Sequence, residues 1–225
     1  MPLERERERV AAAARRLAAD GLVVGTAGNV SERADELVAI TPTGGVLAEL
    51  GPEHISVIHI GGELVAGELA PTSELDLHLG IYRRFDAGAV VHTHAPMATA
   101  LSCVIDELPC VHYQMLLLGG TVPVAPYQTF GTPELAESVL DALEGHTAAL
   151  MANHGAIAHG DDLTKAVELS LLLEWACTVY WRASALGEVR ILDEKQRTAV
   201  VEAAVERRYG TTRPADPEPG ARRPR

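Results

Sequence analysis

The sequence predicts an α/β fold contained in one domain. Three observations lead there. Helical patterns alternate with short strand-like runs from end to end of the chain. Gly-, Pro- and Asx-rich turns separate these runs, with neither an internal repeat nor a linker between them. The length, 225 residues, suits one large domain with a sizeable core.

In chain order, residues 3–20 read as a helix, because Val10, Ala13, Ala14 and Leu17 fall on one face at three- and four-residue steps. Its Glu-Arg alternation is a solvated face. Gly21 stops it, and Gly25-Thr26-Ala27-Gly28-Asn29-Val30-Ser31 follows as a turn. Leu37–Thr41 has strand character, and Pro42-Thr43-Gly44-Gly45 turns the chain. Residues 55–60 and 63–66 form a hairpin around Gly61-Gly62. Ser73–Phe85 is a helix carrying Leu75, Leu79, Tyr82 and Phe85, with Thr72 or Ser73 as its N-cap. A strand over Ala89–His94 precedes Pro96 and a helix through Met97–Cys103. Residues 121–125, 148–152 and 156–158 are strands, and Pro133–Leu143 is a helix with proline in its first turn. Asp161–Leu186 is the longest helix, capped by Asp161 or Asp162 and stopped by Gly187. A last helix, Asp193–Tyr209, ends at Gly210. Residues 211–225 hold four prolines and few apolar groups, so they are expected to be a disordered tail beyond a domain of residues 1–210.

Composition excludes several classes of function. Nineteen basic against 31 acidic residues give a net charge of −12, which disfavours wrapping by nucleic acid. Aromatics are only 4%, too few for a base-stacking platform. No apolar run approaches the roughly 20 residues of a membrane span, and the charged N-terminus lacks a signal peptide's apolar segment. Three cysteines, Cys103, Cys110 and Cys177, do not make a disulfide framework and are expected as small buried residues in a reducing, cytoplasmic setting.

The residues with chemical potential are few. In His92-Thr93-His94, alternation along a strand would put both imidazoles on one side, a ready pair of metal ligands; taken alone, the pattern equally suits two polar residues at a strand end. His154 follows an apolar strand and precedes Gly155, which suits a cleft-facing group or a hydrogen-bonded loop histidine. Glu74 begins a helix, where a carboxylate gains from the dipole whether or not it has another role. His78, four residues on, lacks the second histidine of a zinc helix motif and reads as structural. His54, His59, His146 and His159 read as surface or turn residues. The turns at 25–31, 41–44 and 72–73 can each offer backbone N–H groups to an anion, although none is a P-loop or a dinucleotide fingerprint.

Taken together and in order, Gly25-Thr26-Ala27-Gly28-Asn29, Thr41-Pro42-Thr43-Gly44, Pro71-Thr72-Ser73-Glu74, His92-Thr93-His94 and Asn153-His154-Gly155 resemble the class II aldolase and adducin head family. The resemblance runs over roughly residues 5–210. It implies a three-layer α/β/α sandwich with a central, mainly antiparallel sheet, and a homotetramer with active sites between subunits. By resemblance, His92, His94 and His154 hold one Zn2+ per subunit. Glu74 binds the metal at rest and acts as acid/base once substrate displaces it. Asn29, Thr43, Gly44, Thr72 and Ser73 hold a phosphate, while Thr26 and Gly28 shape the first loop. Tyr113 reaches in from the next subunit to protonate the aldehyde oxygen, and Tyr209 closes the site.

The implied activity is zinc-dependent, reversible cleavage of a ketose 1-phosphate, L-fuculose 1-phosphate in fucose metabolism, to dihydroxyacetone phosphate and L-lactaldehyde through an enediolate that the metal stabilises as a Lewis acid. Glu74 favours this branch over the family's 4-epimerases, which carry aspartate there. Thr72 stands where serine is common and keeps the hydroxyl. Sibling decarboxylases and dehydratases use the same three histidines, and tri-histidine sites also take manganese or cobalt. A non-catalytic adducin-like module would have no need of the ligand set.

Overall fold

The computed structural model describes residues 2–210; the expected tail at 211–225 lies outside the described residues. The chain forms two compact units, one through Leu192 and a second from Asp193.

The first unit contains nine strands: β1 (Asn29–Ala34), β2 (Leu37–Ile40), β3 (Ser56–His59), β4 (Leu64–Ala66), β5 (Ala89–Thr93), β6 (Glu107–Leu108), β7 (Val122–Ala125), β8 (Ala148–Met151) and β9 (Gly155–Gly160). They make one sheet in the order β4-β3-β2-β1-β5-β9-β8-β7-β6. Only β7 and β8 run parallel; the other neighbours are antiparallel. The sheet is therefore mainly antiparallel, as the resemblance implies.

Five helices cover it: α1 (Glu4–Ala19), α2 (Leu75–Arg84), α3 (Pro96–Ser102), α4 (Pro133–Ala142) and α5 (Leu163–Leu186). Strand alternation sends neighbouring side chains into two separate cores. Val30, Ala39, Val91, Leu150 and Ala158 pack with α1, α3 and α5 residues such as Leu17, Leu101 and Leu173. Val38, Ile40, Val90, Ala149 and Ile157 pack with Ile81 of α2 and Val139 of α4 on the other face. Both faces of the sheet are covered, which is why its central strands lack a clean apolar–polar alternation.

Four expectations need correction. Residues 29–31 are not a turn but the start of β1. Its sequence, Asn-Val-Ser-Glu-Arg-Ala, carries little β-propensity, and pairing on both sides holds it, Asn29–Glu32 with β5 and Ser31–Ala34 with β2. The N-cap of α2 is Glu74 rather than Thr72 or Ser73, and it makes no side-chain cap bond. Its carboxylate turns inward, and the Thr72 hydroxyl accepts from the Glu74 N–H instead (3.3 Å). Cys110 and Cys177 are buried as expected, but Cys103, at the end of α3, is exposed. His159 is half-buried in β9 and stacks on Phe85 at 5.3 Å.

The second unit carries α6 (Glu194–Arg207), closed at its start by a capping box between Asp193 and Gln196. Tyr209 follows it and is exposed. No helix among the described residues is long and apolar enough to cross a membrane.

Candidate active site

The site forms where β1, β5 and β9 end beside one another. Asn29 pairs with His92, and His92 with Ile157. Strand β5 ends at Thr93, so His94 lies one residue beyond it, where its N–H donates to the Leu22 carbonyl (3.1 Å). His154 sits in the tight connection from β8 to β9, with Asn153 in the left-handed region (φ 54°) that asparagine tolerates. Two glycines let the backbones close up here. A Cβ on Gly155 would stand 2.3 Å from the Thr93 carbonyl oxygen, and one on Gly28 2.9 Å from that of His92.

The three imidazoles converge. Ring centroids of His92, His94 and His154 lie 4.8, 4.9 and 5.0 Å apart, and the Nε2 atoms of His92 and His94 are 3.0 Å apart. His92 Nδ1–H donates to the Ala156 carbonyl (2.9 Å), which can only accept, so its Nε2 turns a lone pair inward. The trio can hold a metal ion, since one ligand atom from each lies within 4.8 Å of the others. Burial first, and the neighbouring His92 second, push His94 and His154 down to about 4, so both are neutral ligands near pH 7.

Glu74 completes the group. Its Oε2 accepts from Asn29 Nδ2 at 2.8 Å and lies 3.3 Å from His92 Nε2; Oε1 lies 3.4 Å from His154 Nε2. Burial pushes this carboxyl up, but the fields of His92 and His154 and the Asn29 bond outweigh it and hold the group below the ordinary carboxylate range. Oε1 is buried and has no hydrogen-bond partner. An ionised oxygen orphaned beside inward-facing lone pairs is the arrangement a bound cation satisfies.

A cleft of about 360 Å³ opens over this group. Thr26, Gly28, Asn29, Thr43, Gly44, Thr72 and Ser73 all line it with Glu74, His94 and His154. Backbone bonds tie the second and third loops together: Thr43 N–H to Ala70 O (3.0 Å) and Thr72 N–H to Thr41 O (3.1 Å). Among the described residues the lining contains no lysine or arginine, so an anion held by them would meet hydroxyl, amide and backbone donors.

Tyr113 does not line this cleft; it lies on a 3-10 turn (Tyr113–Leu118) with its ring 4.4 Å from that of His112. Tyr209 belongs to the second unit. The sequence reading missed Tyr127, Gln128 and Phe130, which also line the cleft. They occupy an irregular loop whose only signal is two exposed aromatics beside a proline and a glycine. It also set aside His78, which is fully buried and pushed down to about 3 chiefly by that burial, hence neutral.

The fold is that of a class II aldolase. A family model, "Class II Aldolase and Adducin N-terminal domain", matches residues 8–181, and the chain belongs to that family and is an aldehyde-lyase by class. Among curated relatives, the 5-deoxy-D-ribulose 1-phosphate aldolase of Bacillus thuringiensis serovar kurstaki is 38% identical, over 87% of this chain and 93% of that one. The L-fuculose phosphate aldolase of Escherichia coli K12 is 40% identical, over 81% and 86%. A solved L-fuculose 1-phosphate aldolase superposes with a TM-score of 0.85 at 35% identity, covering 88% of this chain and 95% of that one.

Proposed function

We propose that this chain is a metal-dependent aldolase that cleaves a methyl-terminated ketose 1-phosphate to dihydroxyacetone phosphate and a short aldehyde. The observation that carries this reading is the orphaned, buried Glu74 oxygen beside three convergent imidazoles, next to a cleft lined by loops with hydroxyl, amide and backbone donors. His92, His94 and His154 hold the metal, with Glu74 as a fourth ligand at rest; zinc suits three neutral nitrogens. When bound, such an ion supplies Lewis-acid stabilisation of the negative charge that develops on the substrate carbonyl oxygen.

The protein's own groups do the rest. Asn29, Thr43, Gly44, Thr72 and Ser73 hold the phosphate, on a first loop shaped by Thr26 and Gly28. In cleavage the C4 hydroxyl loses its proton as the C3–C4 bond breaks, and the bonding pair passes toward the C2 carbonyl. Tyr113 of the partner subunit, as the phenolate, takes that proton, and Glu74, which first gains a proton from water, delivers one to C3; condensation runs the same transfers in reverse from an ionised Glu74 and a neutral phenol. Tyr209 closes the site. The Tyr113 role requires a homo-oligomer, a tetramer by family resemblance, and three cysteines without a disulfide framework suit a reducing cytoplasm.

L-Fuculose 1-phosphate is the first substrate reading. The relative that acts on 5-deoxy-D-ribulose 1-phosphate, nearly as identical and matched over more of its length, favours the five-carbon analogue as the second. Both release dihydroxyacetone phosphate; the first leaves lactaldehyde and the second acetaldehyde, so the aldehyde formed distinguishes them. The decisive variant is Glu74→Gln. Its expected behaviour is retained zinc with turnover lowered on the order of 10²–10⁴-fold, the usual range for a general acid/base. Full turnover would remove Glu74 from the role.

A further inference from the structure

Behind Glu74 and Asn29, a chain of polar side chains with no role above runs through His78, Ser31 and Tyr82 into the apolar layer between the sheet and α2. Asn29 Nδ2 meets Glu74, and Asn29 Oδ1 meets His78 Nε2. His78 Nδ1 is 2.7 Å from Ser31 Oγ, which is 2.7 Å from the Tyr82 hydroxyl. All five residues are buried, Ser31 and His78 completely, and Tyr82 packs among Val38, Val90 and Ile157.

The direction of every bond follows from one end. An ionised carboxylate only accepts, so Asn29 must turn its NH2 toward Glu74 and its carbonyl oxygen toward His78. That oxygen only accepts, so His78 must carry its proton on Nε2. A neutral imidazole then offers a lone pair at Nδ1, which takes the Ser31 hydroxyl proton. Ser31 in turn accepts from Tyr82. All donation runs toward Glu74, and the opposite His78 tautomer would reverse the Asn29 amide and aim its oxygen at the carboxylate.

We propose that His78, backed by Ser31 and Tyr82, is a positioning residue that locks the Asn29 amide so that Asn29 occupies Glu74 Oε2 and leaves Oε1 free for the metal and for proton transfer. The proposal rests on the reading of Glu74 as proton carrier. Packing alone does not require these groups, because a buried polar chain is costly unless every member is satisfied, and an apolar α2 face would fill the same space. What the chain adds is a fixed orientation of one amide.

Two experiments test it. In metal-free protein with 15N-labelled histidine, NMR is expected to show His78 as the Nε2–H tautomer, assigned by its loss in His78→Gln. The Nδ1–H tautomer would overturn the proposal, whatever the enzyme's substrate. The second is a double-mutant cycle on the zinc-loaded enzyme, with dihydroxyacetone phosphate release as readout. His78→Leu should lower kcat roughly 10- to 100-fold, the loss expected when a hydrogen bond to a charged group goes astray, with KM and zinc content little changed. In an Asn29→Ala background the same substitution should cost nothing further, whereas a purely structural role gives additive losses and refutes the proposal. His78→Gln keeps an N–H near the Nε2 position and should recover most of the lost kcat; should His78→Leu not fold, failure of Gln to sustain kcat is equally fatal. The Nε2–H tautomer in a protein that cleaves neither sugar phosphate would break the functional reading while leaving the geometry intact.

Discussion

The same three strands, β1, β5 and β9, end in two clefts of opposite character. At one end Asn29, His92 and Gly155 stand beside Glu74, His94 and His154. At the other, Arg33, Asp35, Asp86, Gly88 and Asp161 line a shallow depression. Both ends carry formal charge, and both rest on a glycine forced by close backbone approach. Solvation separates them. Arg33 spends its donors on the carbonyls of Asp35 (2.7 Å) and Tyr82 (3.2 Å), in contact with water. Glu74 is buried with one oxygen unpaired. A charged rim is a solvated surface, whereas desolvated lone pairs facing one another demand a ligand.

Removing an imidazole should break the contrast most severely. His92→Ala or His94→Ala is expected to lose the bound metal and to lower aldol cleavage on the order of 10³-fold or more, since Lewis-acid stabilisation is worth several kcal/mol. Metal analysis together with dihydroxyacetone phosphate release checks this.

The paired glycines sharpen the comparison. A Cβ on Gly155 would meet the Thr93 carbonyl oxygen at 2.3 Å, and one on Gly88 the Asp161 carbonyl oxygen at 2.0 Å. Both Gly→Ala variants should lose about 1–3 kcal/mol of stability in denaturant titration. Only Gly155→Ala should also lower kcat, because it displaces the strand end that carries His92.

Acid separates the clefts less steeply. His94 and His154 sit at about 4 in the folded protein against an ordinary 6.5, so the unfolded chain binds more protons across that interval. The stability of metal-free protein should therefore be full above about pH 6.5 and fall as pH drops toward 4. The smallest effect belongs to the far depression: Asp35→Asn and Asp161→Asn should leave kcat/KM within about twofold and stability within about 0.5 kcal/mol.

Much of the site was legible before folding. The five short motifs placed Glu74, the three histidines and the loop residues at 26–29, 43–44 and 72–73 that meet in the cleft. Legibility failed where a residue's role depends on partners far along the chain. Asn29 bonds Glu74 across 45 positions, and Ser31 bonds Tyr82 across 51. β1 itself was invisible, because a strand whose one β-branched residue is Val30 exists only through its two neighbours. Tyr127, Gln128 and Phe130 had no periodicity to reveal them.

The sequence by itself determined where the helices lie and which side chains could act as ligands, since glycines, helical spacing and imidazole chemistry act over a few residues. The motif loops carry no lysine or arginine, so any anion they held would be met by hydroxyl, amide and backbone donors. Only the tertiary structure decided which cleft those loops share, that Glu74 abandons helix capping for the histidines, and that His78 faces Asn29. Those outcomes depend on burial and on the direction of hydrogen bonds, and both arise only when β1 and α2 close over the same apolar layer.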